Sequence, residues 1–324
     1  MGVTLQKRTS TYRVPKHLLS PGDILIQAAP DGLSTMIQYG TNGTGIGHCA
    51  MIVEMNNDIY VIESQDDAPF SDVPPSPTVR RGISATPYDK FFDLLADEKM
   101  TVWLPLRVDL RKRFNNTKAV EFFKSREHNP YGYSNFMSSW IDTTDSSYPG
   151  YIQWPMLLAG LKLAERFVPD KTEILVLKGA SQKLGQNWFK NLDELSQYLT
   201  KINMTFGEMW ALPEDDDWLY DGRHQLICSS FVVATLKAAG VFDEAVAKGL
   251  MATEFTPKDV TQLDIFEKNW STKPAECGLG DFSGCQIGGI YQAPVEHWPF
   301  FNSIKPYAGM NTKCPRLRTP DMIC

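Results

Sequence analysis

Two apolar runs, residues 48–54 and 59–63, stand on either side of Met55-Asn56-Asn57-Asp58 and predict a β-hairpin. Asn56 and Asn57 tolerate the positive φ that a tight turn requires. If the turn takes two residues, Met55 faces Asp58, and counting back sets Ala50 opposite Glu63 and His48 opposite Gln65. His48, Glu63 and Gln65 then share a face, because side chains alternate along a strand. A three-residue turn would slip the register by one and turn Glu63 away.

The same reading extends along the chain. Pro21-Gly22 punctuates before Ile24-Leu25-Ile26-Gln27, a short buried strand, and residues 101–107 form another. Residues 88–96, opened by Pro87, and residues 117–126 read as helices. Residues 31–47, with five glycines, are a loop or short helix, and residues 66–79, with four prolines, a surface loop. Residues 138–221 depart from a compact core. They hold helical patterns at 157–167 and 192–202 and five tryptophans, Trp140, Trp154, Trp188, Trp210 and Trp218, which suggests an inserted subdomain or cap with a small core of its own. After Cys228, apolar residues at Phe231, Val232, Thr235 and Ala239 follow helical spacing until Gly240.

That last helix carries the chemistry. A cysteine in the first helical turn has its thiolate favoured by the macrodipole and by unpaired backbone N–H groups. A nearby imidazole would complete the activation, and His48 opens a strand far upstream. Each residue has a plainer account: Cys228 as a core thiol, His48 as a structural histidine. Ser229 and Ser230 make a polar helix start that favours the reactive account for Cys228. Glu63, diagonal to the imidazole, could fix its tautomer as the third member of a triad does, and Gln65 is the neutral competitor.

Charge and composition narrow the partners. A net charge of −6 over 324 residues argues against a nucleic-acid backbone as the main ligand, and the short basic cluster from Arg107 to Arg113 reads as a solvated loop after a strand. No apolar run reaches the roughly 20 residues of a bilayer span, so no transmembrane segment is expected. Met1 to Arg13 has no apolar core of a signal peptide, and Gln6 stands where a myristoylation signal wants Ser or Thr. Glu214-Asp215-Asp216-Asp217 lacks the alternate spacing of a calcium loop and reads as a solvated loop, so no metal is expected. Cys277, Cys285, Cys314 and Cys324 crowd into a Gly- and Pro-rich tail, without a CxxC pair for zinc, and read as two disulfides of unknown connectivity. With Asn-x-Ser/Thr sequons at Asn42, Asn115, Asn203 and Asn269, they point to a secreted or lumenal protein, the alternative being cytoplasmic. Cys49 is expected to face away from His48, into the core.

Six segments together resemble the permuted NlpC/P60-type papain-fold cysteine hydrolases, most closely their YiiX-like branch and more remotely the lecithin:retinol acyltransferase-like proteins. They are Pro21-Gly22-Asp23-Ile24-Leu25, Gly47-His48-Cys49-Ala50-Met51-Ile52-Val53, Tyr60-Val61-Ile62-Glu63, Asn129-Pro130-Tyr131-Gly132-Tyr133, Ile227-Cys228-Ser229-Ser230-Phe231-Val232 and Thr256-Pro257-Lys258-Asp259-Val260. Papain-like enzymes usually run Cys before His, so the order here points to circular permutation. The resemblance implies an α+β fold, an antiparallel sheet packed on a central helix carrying the cysteine, with a helical insertion. Residues 1–137 and 222–270 would form the two parts of the core, 138–221 the insertion and 271–324 the tail. It also implies Cys228 as nucleophile, His48 as general base and acid, Glu63 as orienting residue, and Tyr131 or Tyr133 near the oxyanion, with Gln65 and Ser229 as further substrate-side candidates. The expected activity is hydrolysis of an amide or peptide bond in a small peptide, amide or acyl substrate through a thioester, a chemistry that needs no metal or organic cofactor. Lipid deacylation or acyl transfer, and a non-catalytic binding module, are the alternatives; the apolar segment 151–158 would suit a lipid-facing cap.

Overall fold

The computed structural model describes residues 14–28, 47–65, 82–94, 100–134, 153–167, 169–186, 189–206, 209, 216, 219–220, 223–250, 252–261 and 263–267. It is an α+β architecture around a five-stranded antiparallel sheet in the order β4-β3-β2-β1-β5. The strands are β1 (Ile24–Ala28), β2 (His48–Met55), β3 (Asp58–Gln65), β4 (Gly82–Pro87) and β5 (Met100–Leu104). The principal helices are α1 (Tyr88–Leu94), α2 (Val108–Arg111), α3 (Asn116–Arg126), α4 (Gln153–Phe167), α5 (Leu192–Lys201), α6 (Cys228–Ala238) and α7 (Pro257–Thr261).

The hairpin takes the register of a two-residue turn. Asn56 and Asn57 have φ of 53° and 59°, and Met55 pairs with Asp58. The β2–β3 ladder runs from there to Met51–Ile62 and ends. Beyond it, β2 stays with β1 down to Gln27–His48, while β3 stays with β4 out to Gln65–Gly82. The sheet therefore forks between β2 and β3, with His48 on one prong and Glu63 on the other.

Alternation along the strands gives the sheet two buried faces. Ile24, Ile26, Cys49, Met51, Val53 and Ile62 line one, and α6 packs against it. Nine consecutive residues of α6, Cys228 to Leu236, are buried, as expected of a helix enclosed by the sheet, α3 and α7. Gly240, at φ 75°, ends it in the left-handed conformation that glycine adopts without penalty. Leu25, Ala50, Ile52, Val61 and Trp103 line the other face with Tyr88 and Phe91 of α1.

Two polar anchors hold the turn before β1 and the basic stretch. The buried Asp23 carboxylate accepts from Ser20 N (2.9 Å), Trp103 Nε1 (3.0 Å), Leu106 N (2.9 Å) and Arg111 Nη2 (3.1 Å). Burial raises its pKa to about 6, with Arg111 and the three N–H donors pulling the other way. Arg107 pairs with Asp109 and Asp264, and Arg113 with Asp243. The basic stretch is therefore partly helix, α2, and Arg107, Arg111 and Arg113 tie it to Asp264, Asp23 and Asp243, while Val108, Asp109, Lys112 and Arg113 stay exposed as a solvated segment would.

β4 has no expectation behind it, because Ser84 and Thr86 interrupt its apolar run. The structure buries both on the sheet. The described part of the insertion has its own core, built by Val176, Leu177, Ala180, Phe189, Leu192, Leu195, Leu199, Phe206 and Met209, with Leu158 and Leu161 of α4 packed against it. Trp140, Trp188, Trp210 and Trp218 lie outside the described residues. Within the acidic run, Asp216 is not solvated: it pairs with Lys237 of α6 and accepts from Ala252 N at 2.7 Å. Among the described residues, no helix is long and apolar enough to cross a membrane.

Candidate active site

The approach to Cys228 is fixed by backbone contacts. Leu226 forms a parallel bridge with Tyr131, and its carbonyl accepts from Ser64 Oγ at 2.7 Å and from Gly132 N at 3.2 Å. Ile227 is extended and offers no side-chain cap, so no side chain of that residue occupies the N–H groups that open α6. A Cβ on Gly132 would lie 2.6 Å from Leu226 C and 2.7 Å from Ile227 N, closer than real contacts allow. Gly132→Ala is therefore expected to displace the segment that aims Cys228. Stability should fall by about 1–3 kcal/mol in chemical denaturation, and alkylation of Cys228 at neutral pH should slow in parallel.

Around the sulfur, the structure gathers residues from four segments. Tyr131 Oη donates to Cys228 Sγ at 3.9 Å. Tyr133 is one step back, edge-on to Tyr131 with centroids 5.0 Å apart. His48 lies beside Cys228, close enough for each to shift the pKa of the other, and its Nε2 lies 2.7 Å from Glu63 Oε2. With Nε2 committed to Glu63, Nδ1 is the nitrogen left for the sulfur. Glu63, not Gln65, thus contacts the imidazole; Gln65 Nε2 donates to Glu63 Oε1 at 2.7 Å and steadies the carboxylate. The contact crosses the fork of the sheet, which a continuous hairpin ladder would have closed.

Cys49 lies on the face opposite His48, as its parity requires, and that face is the one against α6. It neighbours the Cys228 sulfur and shifts its pKa, a proximity that strand parity alone does not show. Ser229 and Ser230 are fully buried, with hydroxyls that make no hydrogen bond. The start of α6 is polar in composition but enclosed.

Electrostatics follow from these contacts. Burial opposes protonation of His48, but the adjoining Cys228 sulfur and Glu63 carboxylate outweigh it and raise its pKa to about 10. Burial and the neighbouring Cys228 push Cys49 well up, so it stays a neutral thiol. The arrangement favours a thiolate–imidazolium pair. Side-chain exposure is 15% at His48 and 3% at Glu63, and Cys228 has none, so solvent reaches the site from the imidazole side. A separate cavity of about 430 Å³, among Met55, Tyr60, Ala85 and Val120, shares no residue with this cluster.

Cys49 and Cys228 are free thiols. Cys277, Cys285, Cys314 and Cys324 lie outside the described residues. Among the described residues, no group of three or more His, Cys, Asp or Glu side chains is arranged to hold a metal ion.

No family model matches the chain, and no curated protein matches it. Among solved structures it is similar to the metalloprotein YiiX from Escherichia coli O157:H7, at 23% identity and a TM-score of 0.24. The match covers 35% of this chain and 53% of that one, about half of its length.

Proposed function

We propose that the chain is a cysteine hydrolase with a circularly permuted papain-like fold, which cleaves an amide or peptide bond through a thioester on Cys228. The observation that carries this is His48 held between Cys228 and Glu63, with the thiol pKa depressed and the imidazole pKa raised. An antiparallel sheet that supplies the histidine before the helix that supplies the cysteine supports the permuted order.

In this mechanism the Cys228 thiolate attacks the acyl carbon and a C–S bond forms. Charge gathers on the acyl oxygen, where the N–H groups opening α6 and the Tyr131 phenol stabilise it; one such donor is worth roughly 3 kcal/mol. His48 gives its proton to the leaving nitrogen, the C–N bond breaks and the amine departs. His48 then takes a proton from water, whose oxygen attacks the thioester, and the acid leaves as Cys228 regains its charge.

Trapping the intermediate tests this. After brief exposure to p-nitrophenyl acetate and an acid quench, peptide mass mapping is expected to show one acetyl group on Cys228. Acetylation confined to lysines, with Cys228 unmodified, would sink the proposal.

A further inference from the structure

Gln27 is a buried polar group beside His48 in the sheet that the mechanism above leaves unused. On β1 it pairs directly with His48, so the two side chains leave the sheet on one face, with Cβ atoms about 5 Å apart. Because β1 and β3 flank β2, Glu63 approaches the imidazole from one side and Gln27 stands on the other. Gln27 O accepts from Gly47 N at 3.0 Å, which fixes its backbone against the residue before His48. The side chain is 1% exposed, yet its Nε2 makes no hydrogen bond. Buried amide donors are nearly always paired, and leaving one unpaired costs stability. An acceptor that arrives with the substrate accounts for it.

The position also says which part of the substrate. The acyl oxygen belongs at the start of α6, where the helix N–H groups and Tyr131 lie. The leaving group belongs at His48, which gives it a proton, and Gln27 is the neighbour of His48. We propose that Gln27 selects the leaving group: its Nε2 donates to a carbonyl or carboxylate oxygen on the departing amine, one residue beyond the scissile bond. The substrate class is then acyl-amino acids and peptides, in preference to alkyl amides and lipid esters. This inference rests on the hydrolase function proposed above.

Run in reverse, the leaving-group site binds an incoming amine, which makes the preference measurable without knowing the natural substrate. The acetyl-Cys228 enzyme formed from p-nitrophenyl acetate is offered glycinamide and propylamine together. In either transfer a C–N bond forms, the C–S bond breaks, and the amine proton passes to His48 as the Cys228 sulfur regains its charge. The ratio of N-acetylglycinamide to N-acetylpropylamine is compared between the unaltered protein and Gln27→Leu, so that intrinsic amine reactivity cancels. The ratio is expected to fall by about 10- to 100-fold in Gln27→Leu, through loss of the glycinamide product alone. Gln27→Glu, which keeps the shape and replaces the donor by an acceptor, should lower it at least as far, and serves equally if the leucine variant does not fold. An unchanged ratio in a folded variant would overturn the proposal. Equal loss of both products, or a shifted pH profile of Cys228 alkylation, would also overturn it and make Gln27 a positioning residue for the Cys–His pair. Failure to acetylate Cys228 at all would instead remove the hydrolase function on which the proposal stands.

Discussion

Replacing Cys228 by alanine is expected to lower turnover by about 10,000-fold or more while the fold survives. The change removes one sulfur from a packed site, a loss of volume that costs about 1–2 kcal/mol in folding stability, whereas it removes every route through a thioester. Serine should not rescue the rate. Its hydroxyl does not ionise near neutral pH, and the site is set to hold a thiolate: the neighbouring Cys49 and the His48 charge both lower the thiol pKa. A second consequence separates this from general damage. His48 loses a partner that helps to raise its pKa, so in Cys228→Ala the imidazole should titrate at lower pH, an effect visible in the NMR shifts of the ring. Circular dichroism and a melting curve close to those of the unaltered protein, with more than about a tenth of the activity retained, would show that chemistry runs elsewhere.

What was legible in advance came from short-range rules. The Asn56-Asn57 turn could be counted, because two residues able to take positive φ leave one register, and that register alone sets His48 and Glu63 on a common face. The α6 start was legible from Cys228-Ser229-Ser230 and the apolar spacing behind it, and α3 and α5 from their periodicity. What was not legible depends on where segments meet. The fork between β2 and β3 arises because each strand keeps its other partner, β1 or β4, and β4 itself was hidden by Ser84 and Thr86. Asp23 reads as a turn residue, yet it collects four donors from three parts of the chain, and nothing in Pro21-Gly22-Asp23 names Trp103, Leu106 or Arg111 as their source. Cys49 was placed on the right face for the wrong consequence, since the helix packed on that face brings Cys228 to it. Gln27 carried no signal beyond being a polar residue at the end of an apolar strand. Its meaning needs the β1–β2 register.

Glu63→Gln is expected to lower turnover by about 100- to 10,000-fold, because it keeps the shape of the side chain and inverts one hydrogen bond. Glu63 accepts at both oxygens, from His48 Nε2 at 2.7 Å and from Gln65 Nε2 at 2.7 Å. A glutamine amide has one acceptor and one donor end, so one of these contacts becomes donor against donor unless the Gln65 amide turns its oxygen inward. If the NH2 faces His48, Nε2 has to give up its proton, and the proton of the neutral ring then sits on Nδ1, pointing at the sulfur it should deprotonate. If it faces Gln65, that amide turns its oxygen to accept, and His48 keeps a neutral acceptor where it had a carboxylate. Either outcome lowers the His48 pKa from about 10, since the charge that supported the imidazolium is gone. The sign of the pH effect follows. In the unaltered protein a protonated His48 adds stability that is full below its unfolded value near 6.5 and is lost as pH rises through about 10. In the variant that loss begins at lower pH. The alkaline limb of kcat/KM, which reports the coupled Cys–His pair as a unit, should move down with it. An alkaline limb left in place, with turnover within a few fold of the unaltered protein, would mean that the orientation of His48 does not depend on the Glu63 charge.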